Sequence, residues 1–202
     1  MVSEILYTKD YINVTREELL NNLKEELKPK RFKHVLRVEE TALELAEKYN
    51  YKDLKKVSIS ALMHDHCKDY SDEKMYQLAT MYAPYEPLRV ANEAVWHGLA
   101  AAELARAKYS VLDDEIVHAI AQHTIGAKEM SLLSKLLFVA DYIEPGRNFD
   151  GVNEARKLAE KDLDAVVFYK MRETIKHLVE TNKKVYVESV VIYNHWAKKQ
   201  EG

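Results

Sequence analysis

The chain of 202 residues, 47% of them hydrophobic and 31% charged, is long enough to bury one core, and we expect a single domain. Its formal net charge is -3, so the chain lacks the excess positive charge that favours binding to a nucleic acid duplex or an anionic membrane surface. Only 5 glycines and 4 prolines are present, which favours helices because a sheet-rich fold of this length needs more tight turns. The lone cysteine, Cys67, excludes an intrachain disulfide.

The beginning of the chain lacks the pattern of a secretory signal. Residues 1–4 end in a glutamate, and no apolar run of signal-peptide length follows them. No stretch approaches the roughly 20 apolar residues that cross a bilayer. We therefore expect a cytoplasmic protein with no membrane partner.

The first half of the chain predicts four helices. Thr15 and Glu18 form a capping box, and leucines follow at helical spacing until Pro29. A second helix is predicted from residue 30 to about 49, and a third begins after Asp53 and ends in the polar segment 64–69. Ser71 caps a short fourth helix that reaches about residue 81.

The second half continues the all-α pattern. A long helix is predicted from about Arg89 to Tyr109, and Asp113 caps a helix that reaches His123. Ser131 begins a strongly apolar helix that ends at the segment 141–146, where a proline and a glycine follow. The remainder predicts two more helices, around 163–178 and 187–196, and a polar tail.

Six residues of ligand type lie near the middle or the end of separate predicted helices. Imidazole and carboxylate groups bind iron, manganese, zinc or magnesium, and no thiolate is placed to change that preference. Asp141 closes an apolar helix, where a buried carboxylate needs a cation, a metal or several hydrogen bonds. The six candidates are His34, His64, Asp65, His97, His123 and Asp141.

Each candidate also has a purely structural interpretation. A single histidine on a helix is more often a core or surface residue than a ligand, and Asp141 could simply pair with Arg147. His66 neighbours the pair at 64–65 but points to the opposite side, so we assign it no ligand role. The three remaining histidines are interpreted as structural: His118, His177 and His195.

Five short motifs carry a resemblance to a known family. They are RFKH at 31–34, HDHCKD at 64–69, WHG at 96–98, QHTIG at 122–126 and ADYIEPGR at 140–147. Together they resemble the HD superfamily of metal-dependent phosphohydrolases, over about residues 15–196. More narrowly, they resemble its bacterial YqeK branch, the symmetrical bis(5'-nucleosyl)-tetraphosphatases, which cut diadenosine tetraphosphate into two ADP.

The resemblance implies an all-α HD fold that spans 1–202 as a single domain. Its metal-site core would cover about 30–150, with C-terminal helices of about 153–199 packed on it. One or two divalent ions are implied, with iron first and manganese, zinc or another divalent ion as alternatives. The core site would be His34, His64, Asp65 and Asp141, and His97 and His123 would complete a second site that shares Asp65.

The expected substrate contacts are cationic side chains and backbone amides near the predicted metal site. Lys68, one turn beyond Asp65, is interpreted with it as catalytic and as a phosphate contact. Bidentate phosphate contacts are expected from Arg31 and Arg147. After His123, Thr124 and Gly126 are expected to let backbone amides approach phosphate. The expected partner is a nucleotide polyphosphate, and the oligomeric state is left open, with a homodimer as one alternative.

Three rival functions remain open from the sequence. The chain could be another HD-type nucleotidase or phosphodiesterase, which would release AMP or a nucleoside instead of ADP. It could be an HD-type di-iron oxygenase, whose turnover would require oxygen and ignore nucleotides. It could also be a metal-stabilised nucleotide sensor without turnover.

Overall fold

The computed structural model describes residues 5–84 and 86–199, without the side chains of 86 and 87. Every regular element in this part of the chain is a helix. The all-α prediction is therefore confirmed. Residues 1–4, on which the expectation about a secretory signal depends, lie outside the described residues. A short 3-10 helix (Glu86–Val90) accompanies the α-helices, which are α1 (Arg16–Glu26), α2 (Pro29–Lys48), α3 (Leu54–Met63), α4 (Asp72–Tyr82), α5 (Glu93–Tyr109), α6 (Asp114–Gln122), α7 (Leu132–Ile143), α8 (Val152–Ala159), α9 (Leu163–Glu180) and α10 (Val187–Lys199).

Polar side chains cap the helices where the sequence predicted them. Each accepts a hydrogen bond from a backbone N–H in the first turn, which satisfies a donor that the helix itself leaves unpaired and contributes about 1 kcal/mol. At α1 the capping box is complete, because Glu18 also accepts from the Thr15 backbone. The capping residues are Thr15, Asp53, Ser71, Asp113 and Ser131.

Two details of the predicted helices are wrong. The helix expected to begin near Arg89 begins at Glu93, capped by Asn92, and the preceding residues form the 3-10 helix. Three helices, not two, follow residue 146. The missed helix, α8, has only eight residues and buries Val152, Ala155 and Ala159, a stripe too short and too small for apolar periodicity to reveal.

The packing of the helices brings the ligand-bearing segments together. The apolar helix α7 is buried along most of its length and contacts α2, α3 and α6. Helix α6 also packs on α3 and α5, which links the helices that carry the residues of ligand type. Helices α8 and α9 pack on α7, and α10 packs on α9. Among the described residues, no helix has both the length and the apolar character to traverse a membrane.

Candidate metal centre

The six residues of ligand type converge at one point in the fold. His34 comes from α2, His97 from α5 and Asp141 from α7. His64 and Asp65 follow the last residue of α3, and His123 caps the end of α6. Two sets have ligand atoms within 4.8 Å of one another: His34, His64 and Asp141, and His64, Asp65 and His123. All six are buried except Asp141, which is partly exposed.

Asp65 lies at the centre of the cluster. Its Oδ2 is 3.4 Å from His34 Nε2 and 3.5 Å from His64 Nε2. Its Oδ1 is 3.2 Å from His97 Nε2 and 3.8 Å from His123 Nε2. A single carboxylate therefore faces two pairs of imidazoles, one pair with each oxygen.

The second carboxylate, Asp141, lies on the side of the first pair. Its Oδ1 is 3.3 Å from His34 Nε2 and 3.9 Å from His64 Nε2. The pKa of Asp141 is well below its ordinary value: burial alone would raise it, but the neighbouring Lys170 ammonium and the nearby His34 ring lower it. Asp141 is therefore a carboxylate at neutral pH.

Two of the imidazoles are oriented by backbone carbonyls. His64 Nδ1 lies 2.6 Å from the Ala61 oxygen, and His123 Nδ1 lies 2.7 Å from the Ile120 oxygen. Since a carbonyl only accepts, Nδ1 of each ring carries the proton and donates it. The Nε2 atom of each ring then carries a lone pair, which faces the carboxylates in His64 and lies 3.0 Å from His97 Nε2 in His123. A neutral ring with a free Nε2 lone pair is the form of histidine that binds a metal.

His34 is oriented by a carboxylate from the end of α7. Its Nδ1 is 3.1 Å from Glu144 Oε1, and Arg37 donates to the same carboxylate. Burial alone would lower the pKa of His34, but the nearby carboxylates of Asp141 and Asp65 raise it to about 9. The position of His34 Nε2 therefore favours a positive charge, either a proton or a cation.

His97 has two neighbours at Nδ1. The Glu93 carbonyl oxygen is 3.0 Å away and the Lys68 ammonium is 3.2 Å away. If Nδ1 donates to Glu93, Nε2 is free to bind a metal; if Nδ1 accepts from Lys68, Nε2 carries a proton instead. Lys68 thus lies where it influences which nitrogen of His97 is protonated.

The residues present fit a divalent cation. The Nε2 atoms of His34 and His64 are buried and have no hydrogen-bond partner. Burial lowers the pKa of His64 to about 3, which keeps its ring neutral. The imidazole lone pairs and the carboxylates they face repel each other unless a positive charge lies between them. Imidazole nitrogen and carboxylate oxygen are also ordinary ligands of transition metals.

Three cations contact the two carboxylates. Arg31 donates to Asp65 Oδ2, and Arg147 donates to Asp141 Oδ1 and, at 2.8 Å, to its backbone oxygen. Lys170 Nζ lies 3.2 Å from Asp141 Oδ2. The charge of Asp141 is therefore balanced by side chains as well, so the imidazole lone pairs indicate a metal more strongly than this partly exposed carboxylate does.

A cavity of about 490 Å³ opens beside the cluster. His97, His123 and Asp141 form part of its wall, so the cluster faces a space large enough for part of a nucleotide. Thr124 also lines it, whereas Arg31, Lys68 and Arg147 are not among its lining residues. The cations that do line it were missed by the sequence analysis: Arg89, Lys170 and Lys184.

The amide of Gly126 itself is already bonded within the protein, and the approach of other backbone amides at this turn to phosphate stays a prediction. The Gly126 N–H donates to the Gln122 carbonyl at 2.8 Å, so it is not available to a ligand. A glycine is required here for another reason, because φ is +76° and an added Cβ would lie 2.4 Å from Met171 Cε.

The histidines outside the cluster have structural contacts. His66 is fully buried, but its Nε2 lies 2.9 Å from Glu26, on the side away from the cluster. His195 lies 3.1 Å from Glu129, while His118 and His177 are exposed. Their positions agree with the structural interpretation that the sequence suggested.

The comparisons with known proteins agree with this site. The family model described as HD domain matches residues 31–146, which include all six converging residues. The chain is 38% identical to a protein of Bacillus subtilis (strain 168) named "Bis(5'-nucleosyl)-tetraphosphatase, symmetrical", over 90% of this chain and 97% of that protein. A protein of the same name from Staphylococcus aureus (strain NCTC 8325 / PS 47) is 36% identical over 86% of this chain and 90% of its own length.

A solved structure has the same fold over most of the chain. It is described as a predicted HD superfamily hydrolase involved in NAD metabolism from Clostridium acetobutylicum, and it matches with a TM-score of 0.84 and 34% sequence identity. The match covers 91% of this chain and 97% of the other. The chain therefore belongs to the HD-domain family and, within it, to the group of the symmetrical bis(5'-nucleosyl)-tetraphosphatases.

Proposed function

We propose that this chain is a divalent-metal-dependent hydrolase that cleaves dinucleoside tetraphosphates symmetrically, so that diadenosine tetraphosphate and one water give two ADP. The convergence of imidazole Nε2 atoms on Asp65 and Asp141, beside a cavity, carries the proposal. The names of the relatives from B. subtilis and S. aureus support the substrate class. A divalent cation bound there supplies a Lewis acid for phosphate oxygens and makes water a better nucleophile at neutral pH.

Iron is the first choice of metal because of the resemblance to the HD phosphohydrolases, since the ligand types alone do not single it out. A set of imidazoles and carboxylates without a thiolate suits iron and manganese, and zinc also accepts it. Because Asp65 faces imidazoles with both of its oxygens, it is suited to be shared by two cations. The proposed sets are His34, His64, Asp65 and Asp141 for one cation, and Asp65, His97 and His123 for the other.

The side-chain cations around the cluster would hold the phosphate chain. Lys68, 3.2 Å from the ring of His97, can contact a phosphoryl oxygen next to the second ligand set. Arg31 pairs with Asp65 and Arg147 pairs with Asp141, and both have further N–H groups that could reach a phosphate. In a chain with a net charge of -3, such local cations are needed to attract a polyphosphate.

Hydrolysis of diadenosine tetraphosphate by anaerobically purified protein tests the proposal. ADP as the sole nucleotide product, with bound metal in the same sample, is expected. Equal amounts of ATP and AMP would contradict symmetrical cleavage, AMP or adenosine alone would favour another nucleotidase, and turnover that requires oxygen would favour an oxygenase.

Substitution of the buried ligand His64→Gln should lower kcat/KM by about a hundredfold or more, whereas His195→Gln, a matched change on α10, should leave it unchanged.

A further inference from the structure

A buried lysine from α9 reaches the candidate metal centre. Lys170 has only 6% of its surface exposed. Its Nζ lies 2.8 Å from the Phe138 carbonyl oxygen, 3.2 Å from the His123 carbonyl oxygen and 3.2 Å from Asp141 Oδ2. Three acceptors require three N–H donors, and only the charged ammonium has three. All the donors of Lys170 are therefore used inside the protein.

The contact of Lys170 with Asp141 Oδ2, together with that of Arg147 with Oδ1, determines which oxygen of this carboxylate faces the imidazoles. Lys170 occupies Oδ2, so Oδ1 is the atom that lies 3.3 Å from His34 Nε2 and 3.9 Å from His64 Nε2. Rotation of the carboxylate would break the contact with Lys170 in a buried place, where the loss of a charged hydrogen bond is costly. Asp141 thus presents a single oxygen in a fixed direction.

The contact with His123 links a second ligand to the same ammonium. His123 is the C-cap residue of α6, and its carbonyl oxygen lacks the partner that a continuing helix would supply. Lys170 is that partner, and through Phe138 it also binds α7 one turn before Asp141. A single side chain therefore connects the ends of two ligand-bearing helices.

We infer that Lys170 is a positioning residue of the metal centre, which fixes Asp141 as a one-oxygen ligand and holds His123 beside it. The inference rests on the proposed function. It also assigns α9 a role at the site, although the HD-domain match ends at residue 146. A lysine that only filled space could be replaced by an apolar side chain with little effect on its neighbours.

Metal affinity alone does not test this role. Removal of a positive charge strengthens the attraction for a divalent cation, while the release of Asp141 weakens its coordination, so the two effects oppose each other. The coordination geometry of the metal, in contrast, is affected by the release of Asp141, and the loss of charge does not oppose that effect. The visible absorption bands of bound Co²⁺ report that geometry, because their position and intensity depend on the number and arrangement of the ligands.

The experiment compares Lys170→Met with Lys176→Met, a matched change at an exposed lysine of the same helix. In the Co²⁺-loaded protein, Lys170→Met should shift the visible bands and lower kcat about tenfold or more with a smaller change in KM, and Lys176→Met should match the unsubstituted chain. Wild-type bands and a kcat within about twofold in Lys170→Met would overturn the inference. If the unsubstituted chain binds no Co²⁺, the proposed metal centre itself fails.

Circular dichroism and thermal unfolding of the metal-free variants show whether they fold. If Lys170→Met does not fold, Lys170→Gln replaces it, because the amide can still donate to the carbonyls of Phe138 and His123 but carries no charge for Asp141. The same change in the Co²⁺ bands is expected of Lys170→Gln. If both variants are unfolded, Lys170 is needed for the fold itself, and the positioning role is overturned.

Discussion

His34 and Glu144 form a hydrogen bond of 3.1 Å between α2 and the end of α7, and this contact leaves His34 Nε2 facing the carboxylates. Burial alone would raise the pKa of Glu144, but its contacts with Arg37, His34 and the Gly146 N–H lower it to about 2. Glu144 is therefore an anion that accepts the Nδ1 proton of His34. A carboxylate behind a ligating histidine fixes the ring and increases its basicity.

We predict that Glu144→Gln weakens metal binding about tenfold to a hundredfold, because the amide cannot stabilise His34 by charge and Arg37 loses its partner. The measurement is competition between the protein and a chromogenic chelator for Zn²⁺ or Mn²⁺. Glu40→Gln, an exposed change on the same helix as His34, is the matched control. Equal affinities for the two variants would exclude an orienting role for Glu144.

The sequence predicted the convergence of six residues but not the side chains that orient them. The ligand positions could be predicted because short motifs tie each of them to a helix end. Lys170 lies 29 residues beyond Asp141 on an amphipathic helix, where a lysine is usually exposed, and no spacing rule connects the two. Glu144 lies in the motif at 140–147. Its contact with His34, however, depends on the packing of α2 on α7, which the sequence does not reveal.

The boundaries of the helices were predictable where capping residues mark them. The apolar residues around Val90 continue the pattern of α5 toward its N-terminus, and this concealed the true cap, Asn92, which accepts from Ala94. The role of the glycine in the turn after His123 was also open from the sequence. A glycine there indicates either close approach of a ligand or a left-handed backbone, and only the structure distinguishes them.

The thiol of Cys67 should be unreactive in the folded protein. Its side chain is fully buried, and burial raises its pKa to about 12, so hardly any thiolate exists at neutral pH. We predict no labelling by Ellman's reagent at about pH 8 under native conditions and labelling of one thiol per chain in urea. Rapid native labelling would mean that the segment after α3, which carries His64 and Asp65, opens readily.

The carboxylate of Glu26 should stabilise the fold in a pH-dependent way. Glu26 accepts from Lys108, His66 and Tyr70. Burial alone would raise its pKa, but the contacts with Lys108 and His66 lower it from the ordinary value of 4.5 to about 2. Since the folded state has the lower pKa, the stabilisation is present above about 4.5 and is lost as the pH falls toward 2.

We therefore predict that Glu26→Gln lowers the free energy of unfolding by about 1 kcal/mol at pH 7, a modest value because solvent screens this partly exposed group. The difference from the unsubstituted chain should shrink as the pH is lowered below about 4.5. Urea unfolding at several pH values measures it, with the exposed neighbour Glu25→Gln as control. A difference that grows on acidification would have the wrong sign for a depressed pKa.

Gly126→Ala should destabilise the turn that follows His123. An alanine would adopt the left-handed conformation at φ +76° with strain, and its Cβ would meet Met171 Cε at 2.4 Å. We predict a loss of about 1–3 kcal/mol in the free energy of unfolding. The steric part can be separated from the backbone part, since Met171 has a flexible end that a second substitution removes.

A double-mutant cycle with Met171→Ala makes this separation. If the clash contributes, Gly126→Ala should cost less in the Met171→Ala background than in the unsubstituted chain, and the remaining cost is that of the backbone. Because the Gly126 N–H keeps its bond to the Gln122 carbonyl in every variant, phosphate binding should change only through the position of His123. A Gly126→Ala variant as stable as the unsubstituted chain would show that residue 126 does not require the left-handed conformation.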